Sequence, residues 1–84
     1  MSYGWIIYYN KHEHSPIFGS SRIGEEVKAA LAAGEGEEFE LYDGDDKLYC
    51  KGRIMGDYNG FEPLDDYGIS ALGCVDIKYN GRSL

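Results

Sequence analysis

Residues 37–55 constrain this chain more than any other stretch. Phe39 and Leu41 alternate with Glu38, Glu40 and Tyr42, and after Asp43-Gly44-Asp45-Asp46 the residues Leu48, Cys50 and Ile54 alternate with Lys47, Tyr49, Lys51 and Arg53. Period-two alternation on both sides of an Asp/Gly turn is the signal of a β-hairpin. A two-residue turn at Asp43-Gly44 sets Leu41 opposite Asp46 and brings a charge onto the apolar face. A four-residue turn over 43–46 instead pairs Leu41 with Leu48, Phe39 with Cys50 and, on the other face, Glu38 with Lys51. Register follows the buried face, so the longer turn is expected.

The remaining segments arrange themselves around this hairpin. Residues 3–9, Tyr-Gly-Trp-Ile-Ile-Tyr-Tyr, are apolar on both parities. That pattern suits a central strand covered on both faces, or one with its aromatics exposed on one side. Residues 10–18 read as a loop closed by Ser15-Pro16. A short helix follows, with Ser20 or Ser21 as N-cap, Glu25 and Glu26 in the first turn and Gly34 at the end. Its apolar stripe is Ile23, Val27, Ala30 and Leu31, which must pack on a sheet because so short a helix cannot stand alone. Residues 57–70 read as a long structured loop. Residues 73–80 read as a last strand, with Val75, Ile77 and Tyr79 on one face and Cys74, Asp76 and Lys78 on the other. The expected fold is α+β, a single domain over 1–84. Its sheet is four-stranded and mostly antiparallel, with one helix on a face in the order β-α-β-β-β. Phe39, Leu41, Leu48, Cys50 and Ile54 are expected beneath the stripe of Ile23, Val27 and Leu31, with Trp5 or Ile7 between.

Charge distribution narrows the function. The formal net charge is −7 over 84 residues. Residues 25–46 hold nine acidic side chains against Lys28 alone, whereas acidic and basic residues cancel over 47–84. Such a block opposes direct contact with nucleic acid, which requires the opposite sign. It suits a basic protein partner, or serves solubility alone. No basic n-region with an apolar h-region opens the chain, and no apolar run approaches a membrane span, so a cytosolic protein is expected. Cys50 and Cys74, without a secretory context, are expected to stay buried thiols. Eight tyrosines and one tryptophan give large contact areas with polar tips, useful in a small core and at an interface.

The chemistry-bearing motifs are weak. His12 and His14 share a side of an extended segment but lack an evident third metal ligand. Asp43-Gly44-Asp45-Asp46 resembles the opening of a calcium loop, yet the sixth and twelfth positions hold Leu48 and Ile54 in place of glycine and glutamate. Gly19-Ser20-Ser21-Arg22-Ile23-Gly24 lacks the Gly-Lys-[Ser/Thr] ending of a phosphate loop. Neither cysteine has neighbours in sequence that lower a thiol pKa. No enzyme, cofactor or metal is expected. The candidate partner-binding residues are Glu35, Glu37, Glu38, Glu40, Asp43, Asp45 and Asp46, with Glu62, Asp65 and Asp66 adjoining. Alternate strand residues repeat every ~6.6–6.8 Å, so carboxylates at that spacing can stand in for a row of phosphates. The competing reading is a solvated face, partly neutralised across the hairpin by Lys47, Lys51 and Arg53.

From the hairpin onward the chain resembles a group of small bacterial and phage proteins. The pieces are Asp43-Gly44, Tyr49-Cys50-Lys51-Gly52-Arg53, residues 61–68 (Phe-Glu-Pro-Leu-Asp-Asp-Tyr-Gly) and residues 73–79 (Gly-Cys-Val-Asp-Ile-Lys-Tyr). In size and acidity the protein also resembles phage anti-CRISPR proteins. The resemblance implies an inhibitor that mimics DNA at the basic surface of a bacterial CRISPR effector complex. The alternative is a small cytosolic adaptor or regulatory domain whose acidity only keeps it soluble.

Overall fold

The computed structural model describes residues 3–12, 15–19 and 24–83. The fold is α+β, and its order is richer than the sequence pattern implied. Among the described residues six strands form one sheet: β1 (Tyr3–Asn10), β2 (Ile17–Gly19), β3 (Glu37–Tyr42), β4 (Leu48–Gly56), β5 (Asp76–Tyr79) and β6 (Arg82–Ser83). Helix α1 spans Glu25–Ala32, and a second helical segment, α2, spans Leu64–Leu72. The sheet runs β2-β1-β4-β3-β5-β6 with every neighbouring pair antiparallel.

The additions to four strands and one helix have local causes. Ile17 and Phe18, expected in a loop, pair with Ile7 and Ile6 and extend the sheet past β1. Tyr79 pairs with Arg82 around Asn80-Gly81, both at positive φ (54° and 79°), which makes a two-residue turn of the primed kind. Residues 64–72, of which 64–70 were expected in a loop, form a wide helix that begins behind Pro63 and ends at Gly73, in the left-handed region at φ 68°. Its closing amide hydrogen bond reaches back five residues to the Gly68 carbonyl, the wide π-type spacing. Gly68 explains why α2 lies so close to the sheet. A Cβ there would stand 3.0 Å from Leu64 Cδ1 and 3.3 Å from Leu41 Cδ1.

The hairpin exists, but in a different register. Leu41 lies opposite Cys50, Phe39 opposite Gly52, Glu40 opposite Lys51 and Glu38 opposite Arg53. Each pairing is two residues from that expected, so the parity of Phe39, Leu41, Cys50 and Ile54 survives and all four are fully buried. The shift arises at the tip. The amide of Asp46, at φ 59°, donates to the Asp43 carbonyl, and the amide of Asp43 donates to the Lys47 carbonyl. Tyr42 then pairs with Leu48 and Tyr49 is left over as a bulge. The bulge moves Leu48 out of the core face, where it was expected, and packs Tyr49 against that core instead.

Helix α1 does not cover the apolar hairpin face, as had been expected. The main core comprises Trp5, Ile7, Phe39, Leu41, Cys50, Ile54, Leu64, Cys74, Ile77 and Tyr79, and α2 with its flanks closes it. Helix α1 packs against β1 and β4. It meets the other face, where Ile6 is buried and Arg53, opposite Ile6, reaches the Leu31 carbonyl at 3.5 Å. Alternation settles this geometry: Ile6 and Arg53 point away from the side of Trp5, Ile7 and Ile54. Of the expected stripe, Leu31 is fully buried and Val27 and Ala30 are half-buried. Ile23 and the capping serines 20 and 21 lie outside the described residues; the helix is capped at Gly24 without a side-chain hydrogen bond. Glu25 and Glu26 occupy the first turn. The double covering explains why β1 is apolar on both parities at Trp5, Ile6 and Ile7.

Strand β5 starts at Asp76, later than expected. Ile77 and Tyr79 share one face, as expected, and are buried, but Val75, expected beside them, precedes the strand and is 64% exposed, while Cys74 turns into the core.

Candidate protein-binding surface

Helix α1 covers only part of its sheet face. The rest carries side chains from β1, β3, β4 and β5. A bulge between Ile7 and Tyr9 places Tyr8 and Tyr9 side by side, 39% and 47% exposed. The hairpin bulge adds Leu48, and an open recess of about 290 Å³ runs between Tyr8, Tyr9, Leu48 and Lys51. A second recess of about 310 Å³ is lined by Tyr8, Glu38, Glu40, Lys51, Asn80 and Gly81. The two bulges thus bring Tyr9 and Leu48 to the face that Tyr8 already occupies by alternation.

Charges on this face interleave. Glu38 lies opposite Arg53, and Glu40 lies opposite Lys51 on one side and Lys78 on the other. The Tyr8 hydroxyl donates to Glu38 at 2.8 Å, and the Arg53 guanidinium stacks 4.3 Å from the Tyr8 ring centroid. Lys78 Nζ stands 4.5 Å from the Tyr42 centroid and 3.8 Å from Asp46. Burial, followed by the Glu38 carboxylate, raises the Tyr8 pKa; burial, followed by Glu40, raises that of Tyr42. Both phenols therefore remain neutral donors at physiological pH.

The ten candidate carboxylates divide by what they touch. Asp43 organises the hairpin tip: it accepts the amides of Asp45 and Lys47 at 2.9 and 3.0 Å and stands 3.6 Å from Lys11 Nζ. Those contacts, led by the Lys47 amide, hold its carboxyl below the ordinary value. Glu37 accepts the Tyr58 hydroxyl at 2.8 Å. Glu62 accepts the amides of Asn59 and Gly60 and shapes the loop before α2. Asp66 accepts the Tyr3 hydroxyl and, at 3.3 Å, the Trp5 indole N–H. Glu35, Asp45, Asp46 and Asp65 are exposed.

These carboxylates do not form one row. Asp43, Asp45 and Asp46 sit at the hairpin tip beside Lys11, beyond the last residue of β1. Asp66 meets Tyr3, the first residue of β1. Seven residue steps separate Tyr3 from Asn10, about 23 Å at the usual rise per residue.

His12 is exposed and packs edge-on against Tyr49, with centroids 5.3 Å apart; His14 lies outside the described residues. Cys50 and Cys74 are free, buried thiols. Burial pushes the Cys50 thiol up to about 12, which removes the thiolate at neutral pH. Among the described residues no helix is long and apolar enough to cross a membrane. The placement of Tyr9 beside Tyr8 left no sign in the sequence, because a bulge leaves no mark in period-two alternation. Comparison with protein-family models, curated proteins and solved structures finds no match to the chain.

Proposed function

We propose that this protein acts by binding another protein through the uncovered sheet face, with the acidic hairpin tip guiding it to a basic surface. The carrying observation is that Tyr8, Tyr9 and Leu48 line one recess, and that Tyr42, paired with Leu48, lies under Lys78, which stands 3.8 Å from Asp46 of the exposed hairpin tip. Tyrosines concentrate binding energy at interfaces, while rim carboxylates accelerate encounter. Partners with exposed basic grooves are nucleic-acid-binding proteins, and a CRISPR effector complex is the class implied by the resemblance to anti-CRISPR proteins. Inhibition follows if the occupied groove is the one that takes target DNA.

A second reading is favoured by the use of Glu37, Asp43, Glu62 and Asp66 within the fold. On that reading the protein is an adaptor, its acidity is structural and solvating, and its partner need not bind nucleic acid. One experiment separates the two. The tagged protein is used to capture partners from bacterial lysate with and without nuclease, and the captured complex is then tested for binding of its target DNA. The inhibitor reading expects nuclease-resistant capture and loss of DNA binding. Capture of a complex that binds DNA undiminished supports the adaptor.

A further inference from the structure

The core face of the sheet opens at its other end into a cleft of about 500 Å³, away from the hairpin tip. Trp5 forms its floor, with the indole lying over Gly19: a Cβ there would be 2.2 Å from the ring. Tyr3 and Tyr67 form walls, and the Trp5 and Tyr67 ring centroids are 5.7 Å apart at 45°. At the mouth stands Asp66. Its Oδ2 accepts from both the Tyr3 hydroxyl and the Trp5 indole, so the carboxylate is fixed in direction.

The charge here differs from that of the opposite face. There Glu38 and Glu40 each face a base across the ladder. Here the described lining residues include an aspartate and no basic side chain. Asp65 and Glu62 add negative potential, and with Asp66 they contribute to holding the Tyr3 phenol up at about 12, chiefly through the Asp66 hydrogen bond. An aromatic cleft with a fixed carboxylate complements a planar cation. A guanidinium can stack on aromatic rings and pair with a carboxylate at the same time, whereas an ammonium is a compact, strongly hydrated point charge.

We infer that the cleft formed by Tyr3, Trp5, Tyr67 and Asp66 receives an arginine side chain from a partner protein. The site is separate from the uncovered sheet face and stands or falls independently of it. Asp66 would accept the guanidinium N–H groups through Oδ1 while keeping its internal donors on Oδ2.

Trp5 is the only tryptophan in the sequence, so its fluorescence reports on the cleft directly. The full chain is titrated with the capped peptide acetyl-Gly-Arg-Gly-amide, with the lysine peptide and with the neutral citrulline peptide, which preserves the shape of arginine. The arginine peptide should shift or quench the emission saturably, and the citrulline peptide should bind at least about tenfold more weakly. Asp66→Asn, which keeps the side-chain shape, should reduce arginine affinity by a similar factor. Tyr67→Leu should do so by loss of a wall, and Asp45→Lys with Asp46→Lys should leave the titration unchanged. Equal binding of arginine and citrulline peptides would overturn the inference. So would an unaltered titration in both Asp66→Asn and Tyr67→Leu, or tighter binding of the lysine peptide.

Discussion

Phe39 lies directly across the hairpin from Gly52, and the tip of its ring fills the space a Cβ at 52 would occupy, 2.4 Å from Cζ. On its β1 side the same position would meet the Ile6 carbonyl oxygen at 2.2 Å. Gly52 is therefore fixed by two neighbours, one aromatic and one backbone. Gly52→Ala should destabilise the protein by at least about 1–3 kcal/mol, the usual range for overpacking, because the backbone neighbour cannot rotate away. Urea unfolding of the variant checks this; a midpoint equal to the parent's would mean that the ring is not over Gly52.

The observed register makes a contrast between three hairpin leucines and isoleucines. Leu41 and Ile54 are fully buried, whereas Leu48 is half-buried on the opposite face. Leu41→Ala and Ile54→Ala should each cost about 2–5 kcal/mol, much of the stability expected of so small a domain. Leu48→Ala should cost well under half as much. Thermal melts of the three variants decide it, and equal losses would restore the register in which Leu48 faces the core.

Tyr79 reaches across the core floor, where its hydroxyl donates to the Gly60 carbonyl at 2.6 Å. Tyr79→Phe keeps the ring and leaves that buried carbonyl without its partner. The expected loss is about 1–3 kcal/mol, read from chemical denaturation. The loop over 57–63 should also exchange its amide hydrogens faster.

Burial of Cys50 and the hydrogen-bonded phenols of Tyr3 and Tyr58 have one consequence at high pH. Cys50 rises from 9.0 to about 12 chiefly through burial. Tyr58 rises from 10.0 to about 12 through burial and then Glu37, and Tyr3 rises equally through its bond to Asp66. In each case the unfolded chain loses its proton first. The stabilisation from these groups is complete below pH 9 and is lost as pH climbs toward 12. Stability measured over that interval should fall steadily, and Cys50→Ala should flatten the first part of the fall after allowance for its own cavity cost. Native protein at pH 8 should react with a thiol reagent only on unfolding.

The sequence was most legible where the side-chain pattern alone decides the structure. Alternation placed Phe39, Leu41, Cys50 and Ile54 on one buried face, and the apolar run over residues 3–9 read as a strand whose two alternatives, cover on both faces or aromatics exposed on one, are each met in part: Ile6 is buried, while Tyr8 and Tyr9 are exposed. It was illegible where one extra residue changes parity. The bulges at Tyr8 and Tyr49 altered which side Tyr9 and Leu48 occupy without leaving a compositional trace. The helix over 64–72 was hidden by Gly68, a poor helix former retained because the backbone must approach Leu41. One signal was available and unused: Asn80-Gly81 is a strong marker of a two-residue hairpin, and it makes β6. For the candidate site, the acidic residues were evident by composition, but their division between internal acceptors and exposed charges depends on contacts such as Glu62 with Asn59 and Gly60.

That division also changes how the acidic tip must be probed. Asp43 holds the turn through the amides of Asp45 and Lys47, so reversing it disturbs the hairpin itself. Asp45→Lys with Asp46→Lys reverses two exposed charges and leaves the Asp43 turn bonds in place, at the loss of the Asp46–Lys78 ion pair. These two reversals should slow association with a basic partner and make binding less sensitive to salt, since rim charges act over about 8–10 Å near physiological ionic strength.

The claim that the uncovered sheet face carries the binding energy is met most directly by the dissociation constant of the captured partner for Tyr8→Ser/Tyr9→Ser. Both side chains are exposed, so the doubly substituted protein should melt close to the parent. If these tyrosines are the anchors of the interface, the dissociation constant should rise by roughly 100-fold or more, mainly through faster dissociation. A folded double variant that binds with the parent's affinity and dissociation rate would contradict the account and move the interface away from this face.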